Sequence, residues 1–208
     1  MSAREPAVDD ANAAWVMAEV PLPTATVAAF VQDIGRLIRL NPFLEIESWS
    51  GPAGPIAAGN RYRLRGLNEM NGLRFDAVLA IDHVDPVGGF RASYETGLKR
   101  ALEASVDGGR EGARLTLREH YHTPPEGDEA ALAQIDRSLV PWGAAVRRHL
   151  IGRKRWGWLP GYVPIVERFW LAMSPRQRRI SRMIAWISVA EFVLFMLLAA
   201  VLWSESAG

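Results

Sequence analysis

The chain contains no cysteine in 208 residues. That excludes disulfide staples and thiolate metal sites, and it fits a reducing compartment. The opening Met1-Ser2-Ala3-Arg4-Glu5-Pro6 lacks an apolar stretch, so no signal peptide is expected. The Walker A, GxSxG, HExxH and GxGxxG patterns are missing in suitable contexts, which removes the common phosphate-cradling, serine-hydrolase and zinc-protease readings. Histidine is scarce, at four residues. His120 and His122 flank Tyr121 and share a strand face, but no third metal ligand is identifiable, so a solvated strand end is expected. His83 and His149 read as surface or helix-end residues. Neither a metal nor a cofactor is expected.

Net charge is also nearly absent, at +1, but the balance hides a segregation. Residues 1–130 carry a net −6, residues 131–182 a net +9 and residues 183–208 a net −2. The basic block abuts the longest apolar run in the chain, so its expected partner is a membrane with anionic lipids. A nucleic-acid partner is not expected, because no nucleic-acid motif accompanies the block.

The apolar run is Met183 to Trp203, 21 residues with one formal charge, Glu191. As a helix it is about 31 Å long, against a bilayer core of about 30 Å. Its eleven Ile, Leu, Phe and Val residues each contribute up to roughly −0.3 to −0.6 kcal/mol, against about +2.5 to +3.5 for one central acid. The apolar sum wins by a few kcal/mol. Arg176, Arg178, Arg179 and Arg182 precede the run and place it, by the positive-inside rule, with the preceding domain in the cytoplasm. The expectation is a single-pass membrane protein with a C-terminal anchor and a short far-side tail, 204–208. Glu191 is an intramembrane polar residue open to three readings: plain tolerance, a helix–helix contact or a proton site.

Upstream, 1–13 reads as a disordered polar lead. A β-rich run ends at Val20, and Pro23-Thr24 opens a helix with Thr24 as candidate N-cap. A second short helix, Arg36 to Leu40, stops at Asn41-Pro42. The middle alternates apolar and polar residues as antiparallel strands do: Leu44 to Trp49, Arg61 to Arg65, Leu73 to Val84, Phe90 to Thr96, Arg100 to Val106 and Ala113 to Tyr121. Asn71-Gly72 and Asp107-Gly108-Gly109 are turn signals. From near Asp128, Leu132, Ile135, Leu139, Trp142, Val146 and Leu150 trace one apolar helical stripe, with a kink or break expected at Pro141. Beyond it, Arg153, Lys154, Arg155, Trp156 and Trp158 mix basic and indole groups, which favours lipid headgroups.

Strand, two short helices, antiparallel strands and one long helix describe an α+β fold whose curved sheet grips the C-terminal helix. Val20-Pro21-Leu22-Pro23-Thr24-Ala25-Thr26-Val27-Ala28-Ala29-Phe30, Asn41-Pro42 and Gly59-Asn60-Arg61-Tyr62 follow in order. This series resembles the START-like (SRPBCC) superfamily of polyketide cyclases, lipid-transfer domains and coenzyme Q-binding proteins. The resemblance covers about residues 14–155. It implies a helix-grip fold with a hydrophobic cavity for a lipid, quinone or polyketide. The added parts are then a juxtamembrane segment, 156–182, and a transmembrane helix, 183–203.

On this reading the ligand contacts are Tyr62, Leu64, Phe75, Leu79, Tyr94, Leu117 and Tyr121 from the sheet, with Leu132, Ile135, Leu139 and Trp142 from the helix. Glu119 shares the inward parity and is the candidate catalytic acid or base; an ion pair with Arg91 or Arg100 is its alternative role. Arg61, Arg63, Arg65 and Arg74 read as a solvated outer face with Asp76 and Glu69 as partners. The expected function is binding of a hydrophobic small molecule at the inner membrane face, in carriage, presentation or sensing. A cyclase or dehydratase using Glu119 and the tyrosines is one alternative. A membrane-complex assembly factor, contacting another membrane protein through its transmembrane helix, is the other.

Overall fold

The computed structural model describes residues 12–97, 99–122 and 129–206, with side chains described within the last stretch from 138 to 203. The expected lead therefore lies almost wholly outside the described residues, as do the side chains of Leu132 and Ile135 and those of the tail. The chain divides into two compact units, Met1–Ala172 and Met173–Gly208.

The first unit runs β1 (Ala13–Val20), α1 (Thr24–Val31), α2 (Ile34–Arg39), β2 (Leu44–Ser50), β3 (Arg61–Asn68), β4 (Leu73–Val84), β5 (Phe90–Tyr94), β6 (Lys99–Gly108), β7 (Ala113–Tyr121), α3 (Glu129–Trp156) and α4 (Tyr162–Ile165), then a π-helical turn, Val166–Trp170. The seven strands form one sheet in the order β1-β7-β6-β5-β4-β3-β2. Every pairing is antiparallel. The first strand thus joins the last, and the helical insertion α1–α2 carries the chain to the opposite edge. The fold is α+β.

Side-chain alternation accounts for the faces. On β7, Ala113, Leu115, Leu117, Glu119 and Tyr121 are buried, while Arg114, Thr116 and Arg118 are half-buried on the other face. On β3, Tyr62 and Leu64 go in and Arg61, Arg63 and Arg65 stay out, the period of two that one wet face imposes. Between β4 and β5 the chain reverses at Gly88, with φ +109°. A Cβ there would stand 2.1 Å from that of Ala28. Backbone conformation and the approach of α1 both demand glycine at this point.

The helices depart from expectation at their ends. Thr24 is the first helical residue of α1, not its cap; Pro23 is the N-cap and no side chain caps the helix. The Pro23 carbonyl instead accepts from the amides of Thr26 (2.9 Å) and Val27 (3.3 Å). Asp33 caps α2 by accepting from the Arg36 amide at 3.1 Å. α3 continues through Pro141 as one 28-residue helix. Its stripe Leu139, Trp142, Val146 and Leu150 is buried. Gly143 lets it lie close on β1, since a Cβ there would meet Val16 Cγ1 at 3.0 Å.

The compact unit extends past the expected boundary at 155. Leu171 is buried, and Glu167 accepts from Arg36 at 2.9 Å and Arg153 at 3.0 Å. These contacts bind residues 156–172 to the first compact unit.

The second unit is dominated by α5 (Pro175–Ser206). Its start is a capping box. The Ser174 hydroxyl accepts from the Gln177 amide (3.3 Å), and the Gln177 side chain accepts from the Ser174 amide (2.9 Å). Proline occupies the first helical position, where its missing N–H costs nothing. Arg176 to Arg182 are therefore the opening turns of the same helix that carries the apolar run. Its portion Pro175–Trp203 is long and apolar enough to cross a membrane, and the apolar window in it is wholly unburied.

Candidate functional site

The inner face of the sheet carries one charged side chain in an apolar row. Glu119 on β7 stands between Ala14 on β1 and Leu102 on β6, and the row continues through Ala92 and Ile81. All five side chains are buried, Glu119 to 1% exposure. A carboxylate in such a row is stable only if its oxygens are hydrogen-bonded. Both are. Lys99 donates to Oε1, and the Tyr121 hydroxyl donates to Oε2 at 2.5 Å.

Lys99 reaches this position because of a β-bulge. β6 pairs Lys99 with Tyr121 and Ala101 with His120, so the register slips by one residue between them. Simple alternation back from Leu102 would send Arg100 inward and Lys99 outward. The extra residue reverses that assignment and turns Lys99 to the face shared by Glu119 and Tyr121. The expected arginine partners are therefore replaced: Arg91 pairs with Glu103, and Arg100 is exposed. Lys99 keeps 30% of its side chain exposed against 1% for Glu119, so the cluster has one wet end and one dry end.

Tyr94 completes the group. It sits opposite Leu79, which in turn sits opposite Tyr62. Burial first, and then the negative charge of Glu119, push the Tyr94 phenol far above its ordinary range, so it stays a neutral donor. Its hydroxyl makes no hydrogen bond among the described residues. Tyr62 stacks on Trp49 with ring centroids 5.4 Å apart and donates to Asn60 at 3.3 Å. Burial, then Asp33, raise its pKa. Leu64, Leu79 and Leu117 are buried in the same core, and Phe75 packs against it half-buried. Leu139 and Trp142 close it from α3, and the Trp142 indole N–H donates to the Leu37 carbonyl at 2.9 Å. That bond makes Trp142 a strut between α3 and α2 as well as part of the wall. The parts of the wall expected from Leu132 and Ile135 lie outside the described side chains.

Other expected sites resolve differently. His120 is not on a solvated strand end. It is 5% exposed, with both ring nitrogens lacking a hydrogen bond among the described residues and Nε2 3.3 Å from Glu103. Its cross-strand neighbours on that face are Ala13 and Ala101. His83 and His122 are exposed. His149 is not a surface group either. Its ring lies 5.3 Å from that of Phe30, and burial, then the charges of Arg153 and Arg36, push its pKa down to about 4. It borders a small recess with Arg153, Tyr162, Val163, Val166 and Glu167.

The outer arginines are paired and wet: Arg63 with Asp76 (2.7 Å), Arg61 with Glu95 (2.6 Å) and Arg74 with Glu47 (2.5 Å). Arg65 donates to Ser48. Of the residues expected at lipid headgroups, Arg153 is committed to Glu167. Lys154 donates to the Pro21 carbonyl at 2.7 Å, and Arg178 to the Met173 carbonyl at 3.0 Å. Arg155 lies 5.0 Å over the Trp156 ring. Trp156 and Trp158 are exposed, as are Arg176, Arg179 and Arg182. Ile165 and Phe169 are both more than half exposed.

No family model matches the chain, and no curated protein matches it. Solved structures do. TTHA0849 from Thermus thermophilus is 15% identical with a TM-score of 0.52, covering 67% of this chain and 97% of that one. NE0264 from Nitrosomonas europaea is 10% identical with a TM-score of 0.51, covering 72% and 99%. KanY is 14% identical with a TM-score of 0.52, covering 68% and 97%. At these identities the likeness is one of fold alone: a seven-stranded antiparallel sheet with a long C-terminal helix.

Proposed function

We propose that this START-like chain binds a hydrophobic small molecule, a lipid, quinone or polyketide-like ligand, between the inner face of its sheet and α3. The observation that carries the reading is the Lys99–Glu119–Tyr121 cluster with the Tyr94 hydroxyl, unpaired among the described residues, beside it. A purely structural core gains nothing from an ionic group that needs a bulge to satisfy it, because a well-packed apolar replacement is often at least as stable. A ligand with an apolar body and one hydrogen-bonding end uses both parts: the body meets Leu64, Leu79 and Leu117, and the polar end meets Tyr94 and the exposed side of Lys99.

The apolar helix α5 supports anchorage in a membrane. Its basic opening turns support a cytoplasmic first unit and contact with anionic headgroups. Anchorage raises the effective concentration of the domain where an apolar ligand dissolves. Carriage, presentation or sensing at that surface is the function that follows.

A cyclase or dehydratase is the second reading, favoured by the direct Tyr121–Glu119 hydrogen bond. It is the weaker one, because Lys99 holds the carboxylate that would have to accept a substrate proton. The test is organic extraction and mass spectrometry of the full chain in lipid nanodiscs, against empty nanodiscs. An apolar molecule enriched with the wild type and depleted with Tyr94→Phe and Lys99→Met is expected. Equal recovery from the folded variants and the wild type would remove these two residues from the binding account.

A further inference from the structure

We propose that two copies of this chain pair within the membrane through Glu191 of α5. The proposal rests on reading α5 as a membrane span and is independent of any ligand.

Glu191 is the one charged residue between Met183 and Trp203, and it lies close to the midpoint of that run, Val193. A carboxyl at this depth is among the costliest groups a span can carry without a partner. Among the described residues Glu191 has neither a hydrogen bond nor an ion pair. No cation of its own helix can reach it. The preceding basic residue is Arg182, which at 1.5 Å per residue stands about 13 Å away along the axis. A partner must come from outside the helix.

The arrangement around Glu191 favours a second copy. Ser188 stands one turn back on the same face, so the hydroxyl and carboxyl of the run form one stripe. Ile184, Ser188, Glu191, Phe195, Leu198 and Leu202 follow the alternating four–three spacing of a packing seam between two helices. When two such seams meet across a two-fold axis, each residue faces its own copy or a near neighbour. Glu191 then meets Glu191. Two carboxyl groups at such an axis can share protons and hydrogen-bond each other, and Ser188 can donate to the pair. This self-complementary solution needs no cation at matching depth, and the chain's own run offers none. A partner helix bearing a basic residue is the competing occupant.

The full chain, labelled with donor and acceptor dyes, is reconstituted in phosphatidylcholine–phosphatidylglycerol vesicles. Energy transfer is followed as lipid is added, and alkaline carbonate extraction reports insertion. Wild type is expected to pair, with Glu191→Gln within about twofold of it, because the amide keeps the hydrogen bonds. Glu191→Leu is expected to weaken pairing by about tenfold, and Ser188→Ala by less. An inserted but monomeric wild type overturns the proposal and leaves the span intact. Equal pairing by Glu191→Leu overturns it as well. Release of the wild type by carbonate overturns the span itself, and the proposal with it.

Discussion

Glu119 and Glu191 are the same residue placed in two apolar settings, and the first unit treats it differently from the second. Glu119 is buried among Ala14, Leu102, Leu117 and Tyr121, and the fold supplies a donor to each carboxylate oxygen. Glu191 lies on a helix that leaves it bare. A tertiary core satisfies a buried charge by bringing residues together from distant positions. A single helix can offer only residues within a turn or two. The unsatisfied carboxyl is therefore a request for something outside the helix, whereas the satisfied one marks where the core itself has been specialised.

The largest expected effect breaks the satisfied side. Glu119→Leu removes the acceptor that Lys99 and the Tyr121 hydroxyl share. The folded unit should lose about 3 kcal/mol, at the low end for a broken buried pair because Lys99 can partly reach water. Urea unfolding followed by tryptophan fluorescence in micelles measures it. The double variant Glu119→Leu/Lys99→Met should recover much of that loss. A single variant as stable as wild type would mean that the cluster does not hold the site together.

Glu191→Leu should act in the opposite sense and elsewhere. It leaves the unfolding midpoint of the first unit unchanged and favours membrane insertion by about 2–3 kcal/mol, read from the inserted fraction in a translocation assay. A drop in the first unit's midpoint would contradict the separation of the two settings.

How much of this contrast is legible in the sequence depends on which physical rule carries it. The inward parity of Glu119 follows from alternation along Ala113 to Tyr121, and the α+β order follows from periodicity. The partner of Glu119 does not, because a bulge between Lys99 and Ala101 breaks the alternation that would have pointed to Arg100. The burial of His120 is hidden for a related reason: parity gives the face of a residue but not whether that face is covered. Ser174-Pro175-Arg176-Gln177 is a readable capping box, and it already ties the basic turns to the span as one helix. The extension of the first unit to Ala172 is not readable, since it depends on Glu167 meeting Arg36 across the fold.

His149 is a half-buried titratable group and sharpens the comparison by pH. Its folded pKa, about 4, lies below the ordinary value of 6.5, so below pH 6.5 the unfolded chain binds the extra proton. The stability from neutral His149 is present above that value and is lost progressively as the pH falls towards 4. The loss should be about 1–2 kcal/mol after allowing for partial exposure. Unfolding midpoints of wild type and His149→Phe between pH 7 and 4 test it. A variant with an unchanged slope would assign the acid sensitivity to other groups.

The smallest effect is expected on the wet face. Arg63→Gln removes an exposed pair with Asp76 and should leave the midpoint within measurement error, since solvent and salt screen such pairs. A clear loss there would show that the outer face also carries stability.

The central claim is that the inner face around Glu119 holds an apolar ligand. Native mass spectrometry of the full chain released from nanodiscs tests it most directly, with wild type beside a filling variant, Tyr94→Trp. The account predicts an apolar adduct on wild type that disappears from the folded, membrane-inserted variant. Wild type without an adduct, or an equal adduct on both proteins, would contradict it.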